Sequence, residues 1–274
     1  MTFWKKGDEG PEITKLQEKL LATGFNPGPA SGTFDAATEI ALKAFQKSQG
    51  LLDDGKAGKN TLAELNKFGT GDPVALPPMT GKPILERFTV AVVRQMFPPS
   101  TPGKNITANL PFVLKAMQDA ELADKNMILM ALATIRVETE GFEPISEFRS
   151  KFNTSPGGHP FDLYDNRKDL GNQGPPDGDS FKGRGFVQLT GRANYEQHGA
   201  AIGLGNDLVD RPELANDPAI AAKILASFLK AKERRIKEAL LARNFKEARR
   251  LVNGGSHGLA KFTETFLAGE KLIK

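Results

Sequence analysis

Apolar residues recur at helical spacing near the start of the chain. Pro11 suits the first turn of a helix, and Ile13, Leu16 and Leu20 then follow on one helical face. Gly24 supplies a stop after the last of them. The pattern predicts a helix between Pro11 and Gly24 that buries one side.

Two further helices are predicted before residue 68, from Asp35 to Gly50 and around Leu62. The turns that lead into them, residues 31–38 and 54–61, resemble each other. In each, a polar residue and a Gly precede a helix start, and a Thr follows the Gly by six positions. Ordinary turn and cap chemistry accounts for this likeness as well as an internal repeat does.

The pattern changes after this small helical region. Residues 69–83 hold three Gly and four Pro, which is typical of a stiff linker. An amphipathic helix is expected from Ile84 to Phe97, and helical patterns dominate from there to the end, with little β-type alternation. The sequence therefore predicts a mainly α protein, with a small three-helix domain at 1–68 and a larger helical domain at 84–274.

Composition narrows the classes of function. The 274 residues are 39% hydrophobic and 26% charged, which is typical of a globular protein. The net charge of +4 is too small to indicate a nucleic-acid partner. No run of apolar residues is long enough for a membrane span, and no apolar run follows the basic pair near the N terminus, so we expect neither membrane insertion nor a cleavable signal.

Cysteine is absent, which excludes disulfides, thiol nucleophiles and Cys-ligated zinc. The three histidines are far apart in sequence: His159, His198 and His257. A site of the Ser-His-Asp type or a His-rich metal site would have to gather distant loops. We therefore expect no metal and no organic cofactor.

Residues 127–141 form an apolar segment that predicts a buried helix ending near Gly141. Glu138 falls in its last turn. Burial and the negative end of the helix dipole both disfavour the charged carboxylate, which suits a general acid. The alternative is that Glu138 faces solvent or pairs with Arg136 or Arg149.

Glycoside hydrolysis usually needs a second carboxylate. The candidates beyond the helix are Glu143, Glu147, Asp162 and Asp165. A gap of about 6.5–9.5 Å between the two carboxyl groups would leave room for a water and indicate inversion of configuration. The residues alone leave all four as candidates for the second carboxylate.

Residues 177–195 combine glycines with amide, hydroxyl and aromatic side chains, a mixture that suits sugar hydroxyls and N-acetyl groups. A phosphate loop is disfavoured because no complete glycine motif follows a strand. A tight structural turn is the plain alternative. The side chains that offer this chemistry are Gln188, Thr190, Asn194 and Tyr195.

The N-terminal pattern resembles the three-helix type of peptidoglycan-binding domain over about 60 residues. The resemblance implies binding to cell-wall glycan or peptide, without catalysis. Its landmarks are Leu16-Gln17, Gly24-Phe25, Ser31-Gly32, Phe45-Gln46, Gly50-Leu51, Asp54-Gly55 and Thr61.

Three ordered motifs in the larger domain resemble those of the family 19 chitinase-like glycoside hydrolases. They lie at 137–142, 184–195 and 252–255. The resemblance implies that Glu138 is the general acid and that the Thr190 position is associated with the attacking water. It further implies substrate contacts by Arg184, Gln188, Thr190, Asn194, Tyr195 and Asn253.

The resemblance leaves two candidates for the second carboxylate. Plant-type chitinases place it well beyond the acid, near the distance of Asp162, although the local sequence differs. Phage endolysins and phage-type lysozymes of this fold use a Glu, eight residues and an acid, which is the spacing from Glu138 to Glu147. We choose Glu147. The sequence departs from these patterns at Val137, where chitinases have His, and after Glu147, where the nearest Thr is Thr154.

The segment from Lys230 to Arg250 contains nine basic and three acidic residues, a net charge of +6. A solvated helix face explains it, and affinity for an anionic polymer is the alternative.

Together these features predict a modular phage-type endolysin that hydrolyses the β-1,4 bond between N-acetylmuramic acid and N-acetylglucosamine. Its partner would be bacterial peptidoglycan, with no nucleic acid and no stable membrane insertion, and the chain is expected to be a monomer. The family implies accumulation in the host cytoplasm before release to the wall. The alternatives are a chitinase or a lytic transglycosylase on the same scaffold, or a non-catalytic wall-binding protein.

Overall fold

The computed structural model describes residues 2–68, 72–74 and 83–273, and the chain divides into two compact units, 1–83 and 84–274. Each unit has its own hydrophobic core. Helices supply nearly all of the regular structure, so the predicted mainly α class is confirmed, and the lysozyme-like arrangement predicted for the larger domain stays a prediction. Within the described ranges, every helix is too short or too polar to cross a bilayer.

The first unit contains the three predicted helices. They are α1 (Pro11–Ala22), α2 (Ala36–Ser48) and α3 (Lys59–Leu65), joined by a small antiparallel pair, β1 (Phe3–Trp4) and β2 (Ala57–Gly58). The predicted apolar face of α1 is fully buried. The start of α2 is fixed by Asp35, whose side chain accepts a hydrogen bond from the Thr38 amide at 2.8 Å.

A buried glutamine explains the first of the two similar turns. The side chain of Gln17 donates to the Thr33 carbonyl and to the Thr38 hydroxyl, both at 2.9 Å. Its carbonyl accepts the Gly32 amide at 2.9 Å. The Gln17 side chain therefore ties α1 to the turn that starts α2.

Gln46 makes the same three bonds in the second turn. It donates to the Lys56 carbonyl at 2.9 Å and to the Thr61 hydroxyl at 3.1 Å, and it accepts the Gly55 amide at 2.9 Å. The six-residue spacing from Gly to Thr is thus the spacing that one Gln side chain bridges. The likeness between the turns is a structural repeat rather than two unrelated caps.

The predicted linker at 69–83 lies partly outside the described residues, at 69–71 and 75–82. The described part shows that Val74 is buried in the core of the first unit. The Asn66 side chain pairs with both backbone groups of Val74, at 3.0 and 3.2 Å. The first unit therefore extends beyond residue 68.

The second unit begins with two helices where one was expected. The prediction of a single helix from Ile84 to Phe97 is wrong, because α4 (Ile84–Arg87) and α5 (Val90–Met96) are separate. Thr89 caps α5 by accepting the Val92 amide at 3.2 Å, so the chain restarts its helix there.

The remaining elements surround the buried helix that the apolar segment predicted. Two-residue strands, Ile145–Ser146 and Arg184–Gly185, pair antiparallel, with Ile145 opposite Gly185. The 3₁₀ turns lie at Lys168–Leu170 and Pro212–Asn216. The other elements, in chain order, are α6 (Gly103–Asp119), α7 (Lys125–Glu138), β3 (Ile145–Ser146), α8 (Asp162–Asp165), α9 (Asp177–Ser180), β4 (Arg184–Gly185), α10 (Arg192–Ala201), α11 (Asp207–Asp210), α12 (Pro218–Lys230), α13 (Glu233–Leu241), α14 (Phe245–Asn253) and α15 (Leu259–Leu272).

Helix α7 is the centre of the second unit. All of its residues from 127 to 135 are buried, and α15 packs along it. Beyond its end, α6 holds the chain: Asn105 donates to the Gly141 carbonyl and Asn109 to the Phe142 carbonyl, both at 2.8 Å. The core therefore fixes the position at which α7 ends, and that position is Glu138.

Candidate active site

Glu138 is the last residue of α7, and its side chain is only 12% exposed. Arg249 of α14 donates from Nη2 to Glu138 Oε1 at 2.7 Å, and Asn253 donates from Nδ2 to the same oxygen at 3.2 Å. Gly254, in the left-handed region, ends α14 directly after Asn253. The structure thus brings the predicted residues Glu138 and Asn253 together at the meeting of two helix ends.

Arg249 is the residue that sequence reasoning missed. The expected competitors for Glu138 were other arginines, but Arg136 lies 3.7 Å from Glu140 instead. Arg249 is fully buried, and its Nε donates to the His257 carbonyl at 3.1 Å. A signal was available, because Arg249 falls on the same helical face as Phe245 and Val252.

The ion pair with Arg249 changes the electrostatic environment that the sequence predicted for Glu138. Burial and the helix dipole were the influences expected from the sequence, and the structure adds a buried guanidinium at hydrogen-bond distance. Arg249 therefore fixes where the Glu138 carboxyl group lies.

Glu147 follows β3 and is held by three neutral donors. Its Oε1 accepts from Asn153 Nδ2 and from the Tyr164 hydroxyl, each at 2.9 Å, and its Oε2 accepts the Gly183 amide at 3.2 Å. Burial, and then the nearby Glu147 charge, raise the pKa of Tyr164 to about 12. Tyr164 therefore stays protonated and keeps donating at neutral pH.

The other acids after α7 that are buried or half-buried serve local structure. Asp162 accepts the Ser155 hydroxyl and also the Ser155 amide at 2.8 Å, and these bonds, the hydroxyl first, lower the pKa of Asp162. Asp165 is buried and accepts the Gly178 amide at 2.9 Å. The Asp162 carboxylate closes a turn and the Asp165 carboxylate joins α8 to α9, whereas the Glu147 carboxylate lies against the Gly-rich motif.

Gly183 gives Glu147 and Gln188 room to lie side by side. A Cβ atom at Gly183 would fall 2.9 Å from Gln188 Oε1 and 3.2 Å from Glu147 Oε2, so both side chains would have to shift from their present positions. Gln188 itself has a φ of 53°, and its Nε2 donates to the Ile145 carbonyl at 3.0 Å. The small β3–β4 pair therefore positions both side chains.

Gln188, Thr190 and Asn194 form a row of polar residues linked by hydrogen bonds. Thr190 donates to the Gln188 carbonyl at 3.0 Å, and Asn194 donates to the Thr190 carbonyl at 2.7 Å. All three side chains are partly exposed. Their predicted contacts with substrate stay predictions, because these bonds show only how the row is ordered.

Arg184 and Tyr195 do not lie on the surface, contrary to the expectation that they bind substrate. Tyr195 is fully buried, and its hydroxyl donates to the Lys182 carbonyl at 2.9 Å. Arg184 is buried as well and donates to the Ser180 carbonyl at 2.7 Å and to the Tyr195 hydroxyl at 3.0 Å. Burial raises the pKa of Tyr195 to about 12. The pair supports the Gly-rich motif from beneath, since Tyr195 has no accessible face for a sugar.

The basic segment at 230–250 divides into surface ion pairs and one buried cation. Its three acids are all paired: Glu233 with Lys230 and Lys237, Glu238 with Arg234, and Glu247 with Arg250. The buried cation is Arg249.

The described ranges contain no cluster of three His, Asp or Glu side chains suited to a metal ion.

Two family models each match a part of the chain. Residues 9–65 match the model of a peptidoglycan binding domain, and residues 159–238 match that of class I chitinases. The second match includes Gln188, Thr190 and Asn194. It begins after both Glu138 and Glu147, so it says nothing about the carboxylates.

Individual relatives match only short parts of the chain. An acidic endochitinase, pcht28, of Solanum chilense is 52% identical over 44 residues, which is 16% of this chain and 17% of that protein. The N-acetylmuramoyl-L-alanine amidase CwlL of Bacillus licheniformis is 37% identical over 70 residues, 25% of this chain and 19% of that protein. The chain therefore spans less than a fifth of these relatives.

Among solved structures, the endolysin of the Burkholderia phage AP3 aligns over 99% of both chains, with 18% identity and a TM-score of 0.34.

Proposed function

We propose that this chain, which joins a peptidoglycan-binding domain at 9–65 to a class I chitinase-type segment at 159–238, is a phage-type endolysin. It hydrolyses the β-1,4 bond between N-acetylmuramic acid and N-acetylglucosamine in bacterial peptidoglycan. The first domain keeps the enzyme on the wall, and the second cuts the glycan. The chain acts as a monomer and reaches the wall after release from the host cytoplasm.

One observation carries the proposal. Two carboxylates, Glu138 and Glu147, are each held in a fixed orientation by a separate set of donors from different elements. Such preorganisation is what glycoside hydrolysis needs, because a proton must reach the glycosidic oxygen while water is activated elsewhere.

In the proposed mechanism, Glu138 gives its proton to the leaving oxygen as the bond to the sugar C1 breaks. Glu147 orients a water and takes its proton as the water oxygen bonds to C1. Gln188, Thr190 and Asn194 contact the sugar beside Glu147. If a water fits between the two carboxyl groups, the product is inverted at C1.

The test is digestion of purified Gram-negative peptidoglycan by the wild type, by Glu138→Gln and by the matched control Glu196→Gln, an exposed acid on α10. The products are reduced with borohydride and their ends identified by mass spectrometry. We expect muramitol ends from the wild type and the control. Glu138→Gln should lose at least about 10²–10⁴-fold in rate, the usual contribution of a general acid.

Other outcomes would replace the proposal. Glucosaminitol ends would indicate a glucosaminidase, and 1,6-anhydro ends a lytic transglycosylase. Release of sugars from chitin alone would indicate a chitinase. No new ends from the wild type, with binding to the wall intact, would leave a non-catalytic wall-binding protein.

A further inference from the structure

The loop directly after Glu147, residues 148–154, exposes two large aromatic side chains. Phe148 and Phe152 are each 78% exposed, more than any other large hydrophobic residue in the described ranges. Leu163 lies next to the loop: its amide donates to the Asn153 carbonyl at 3.3 Å, and it is 46% exposed. Large apolar side chains left exposed within one short stretch of the surface are a feature of interaction sites.

The loop is ordered around one buried side chain. Asn153 is fully buried, and its Nδ2 donates to the Phe148 carbonyl at 2.9 Å while its Oδ1 accepts the Ser150 amide at 2.8 Å. The backbone is therefore wound so that the two Phe side chains point away from the core. The same Nδ2 also donates to Glu147 Oε1 at 2.9 Å, so the loop and the carboxylate share one anchor.

The loop is also basic. Arg149 and Lys151 are exposed, residues 148–154 contain no acid, and Lys151 Nζ lies 5.3 Å from the Phe152 ring centre. An exposed surface of two aromatic rings with two cations is complementary to a ligand that presents both apolar faces and negative charge.

We propose that residues 148–154 form a subsite for the peptide-bearing glycan strand of peptidoglycan. The Phe148 and Phe152 rings pack on sugar faces, and Arg149 and Lys151 meet the carboxylates of the stem peptides. A neutral glycan such as chitin satisfies only the aromatic half of this surface. The inference rests on the proposed function, since it places the substrate strand next to Glu147.

The test changes the aromatic residues and the basic residues of the loop in separate variants of the whole chain. One variant is Phe148→Ala with Phe152→Ala, and its control is Phe112→Ala, an exposed Phe on α6. The other is Arg149→Gln with Lys151→Gln, and its control is Lys223→Gln with Lys246→Gln, two exposed lysines. Binding of peptide-bearing glycan fragments and of neutral chitin oligosaccharides is measured by calorimetry, and kcat and KM are measured on sacculi.

We expect the aromatic variant to weaken binding of both glycans and to raise KM on sacculi about tenfold, the loss of one or two well-packed rings. The basic variant should weaken only the peptide-bearing fragments, about threefold to tenfold at low salt, and reduce the salt dependence of KM. Both variants should keep kcat within about twofold, and the controls should match the wild type.

Unchanged binding and unchanged KM in both variants, with a wild type that cuts sacculi, would overturn the subsite alone. A wild type that makes no new ends would overturn the proposed function, while the fragment titrations still decide the subsite. If the variants lose sedimentation with anionic phospholipid vesicles but bind glycan normally, the loop is a membrane contact and the proposal is wrong.

Discussion

Each unit contains two buried or half-buried polar side chains of the same type, and the two units differ in how these side chains are bound. In the first unit, Gln17 and Gln46 are bound by the same three kinds of partner: a Gly amide, a backbone carbonyl and a Thr hydroxyl. In the second, Glu138 is bound by a guanidinium and an amide, whereas Glu147 is bound by three neutral donors.

This difference separates structural from chemical use of a buried polar group. Two glutamines in one environment do one task twice, since an amide only has to be satisfied. Two carboxylates held by separate donors on different elements can each be positioned against a different atom of a substrate. The first unit should therefore respond to mutation by unfolding, and the second by losing rate.

The largest expected effect distinguishes Glu147 from Asp162. Glu147→Gln should lower kcat on sacculi by about 10²–10⁴-fold, because the amide cannot take a proton from water. Asp162→Asn should retain most activity, since that carboxylate closes the turn at Ser155. Rates are measured by the release of reducing ends.

Near wild-type turnover by Glu147→Gln with 1,6-anhydro products would mean that one carboxylate suffices, as in a transglycosylase. A large loss of rate in a folded Asp162→Asn would transfer the role of base to that residue.

The next effect tests whether the two glutamines are equivalent. Gln17→Leu and Gln46→Leu should each destabilise the first unit by about 2–4 kcal/mol, because each leaves several buried groups unpaired. Exposed Gln49→Leu is the control, and Thr61→Val is a milder variant that removes only the bonds of the Thr61 hydroxyl to Gln46 and to the Lys56 carbonyl. The chain's single Trp, Trp4, lies in this unit, so urea unfolding followed by its fluorescence reports the first unit separately.

Unequal losses for the two glutamines would show that the turns are alike in geometry but not in energy. Losses no larger than that of Gln49→Leu would contradict the account of the repeat.

The pattern of apolar residues in the sequence was enough to predict the buried helix that ends at Glu138. The apolar run that ends at Gly141 placed Glu138 in the last turn of a buried helix, and α7 ends there. It was not enough at Thr89, where a capping side chain within an amphipathic pattern starts a second helix. Capping depends on one side chain, so periodicity over many residues does not detect it.

The candidate site was less predictable because its contacts join distant parts of the chain. Arg249 meets Glu138 across 111 positions, and Glu147 is held by Tyr164 and by Gly183. Tyr195 was expected at the surface because its hydroxyl suits a sugar, but the same hydroxyl satisfies a buried carbonyl. Residue type alone does not tell which of these uses the fold makes of a polar group.

The last effect, which is small near neutral pH and grows as the pH is lowered, separates the two units by their pH dependence. Burial, and then Lys232, lower the pKa of His198 in the second unit to about 4, where its ring stacks on Phe228 and lies 3.0 Å from Ser227 Oγ. Between pH 6.5 and 4, the unfolded chain binds a proton at this His and the folded chain does not. Stability is therefore fully present above pH 6.5 and falls as the pH is lowered, by up to about 3 kcal/mol at pH 4.

The two glutamines of the first unit do not titrate. Hydrogen bonds lower the pKa of Asp35 and of Glu39 from their ordinary values of 3.8 and 4.5, so their contribution is lost only when the pH falls to about those values. The stability of the first unit should therefore stay nearly constant from about pH 7 to 5. Both tyrosines lie in the second unit, so their absorbance follows its urea unfolding while Trp4 fluorescence follows the first. His198→Gln removes the titrating group and should flatten the pH dependence of the second unit only. Equal acid sensitivity of the two units, or a slope that His198→Gln leaves unchanged, would mean that carboxylates rather than His198 set the pH response.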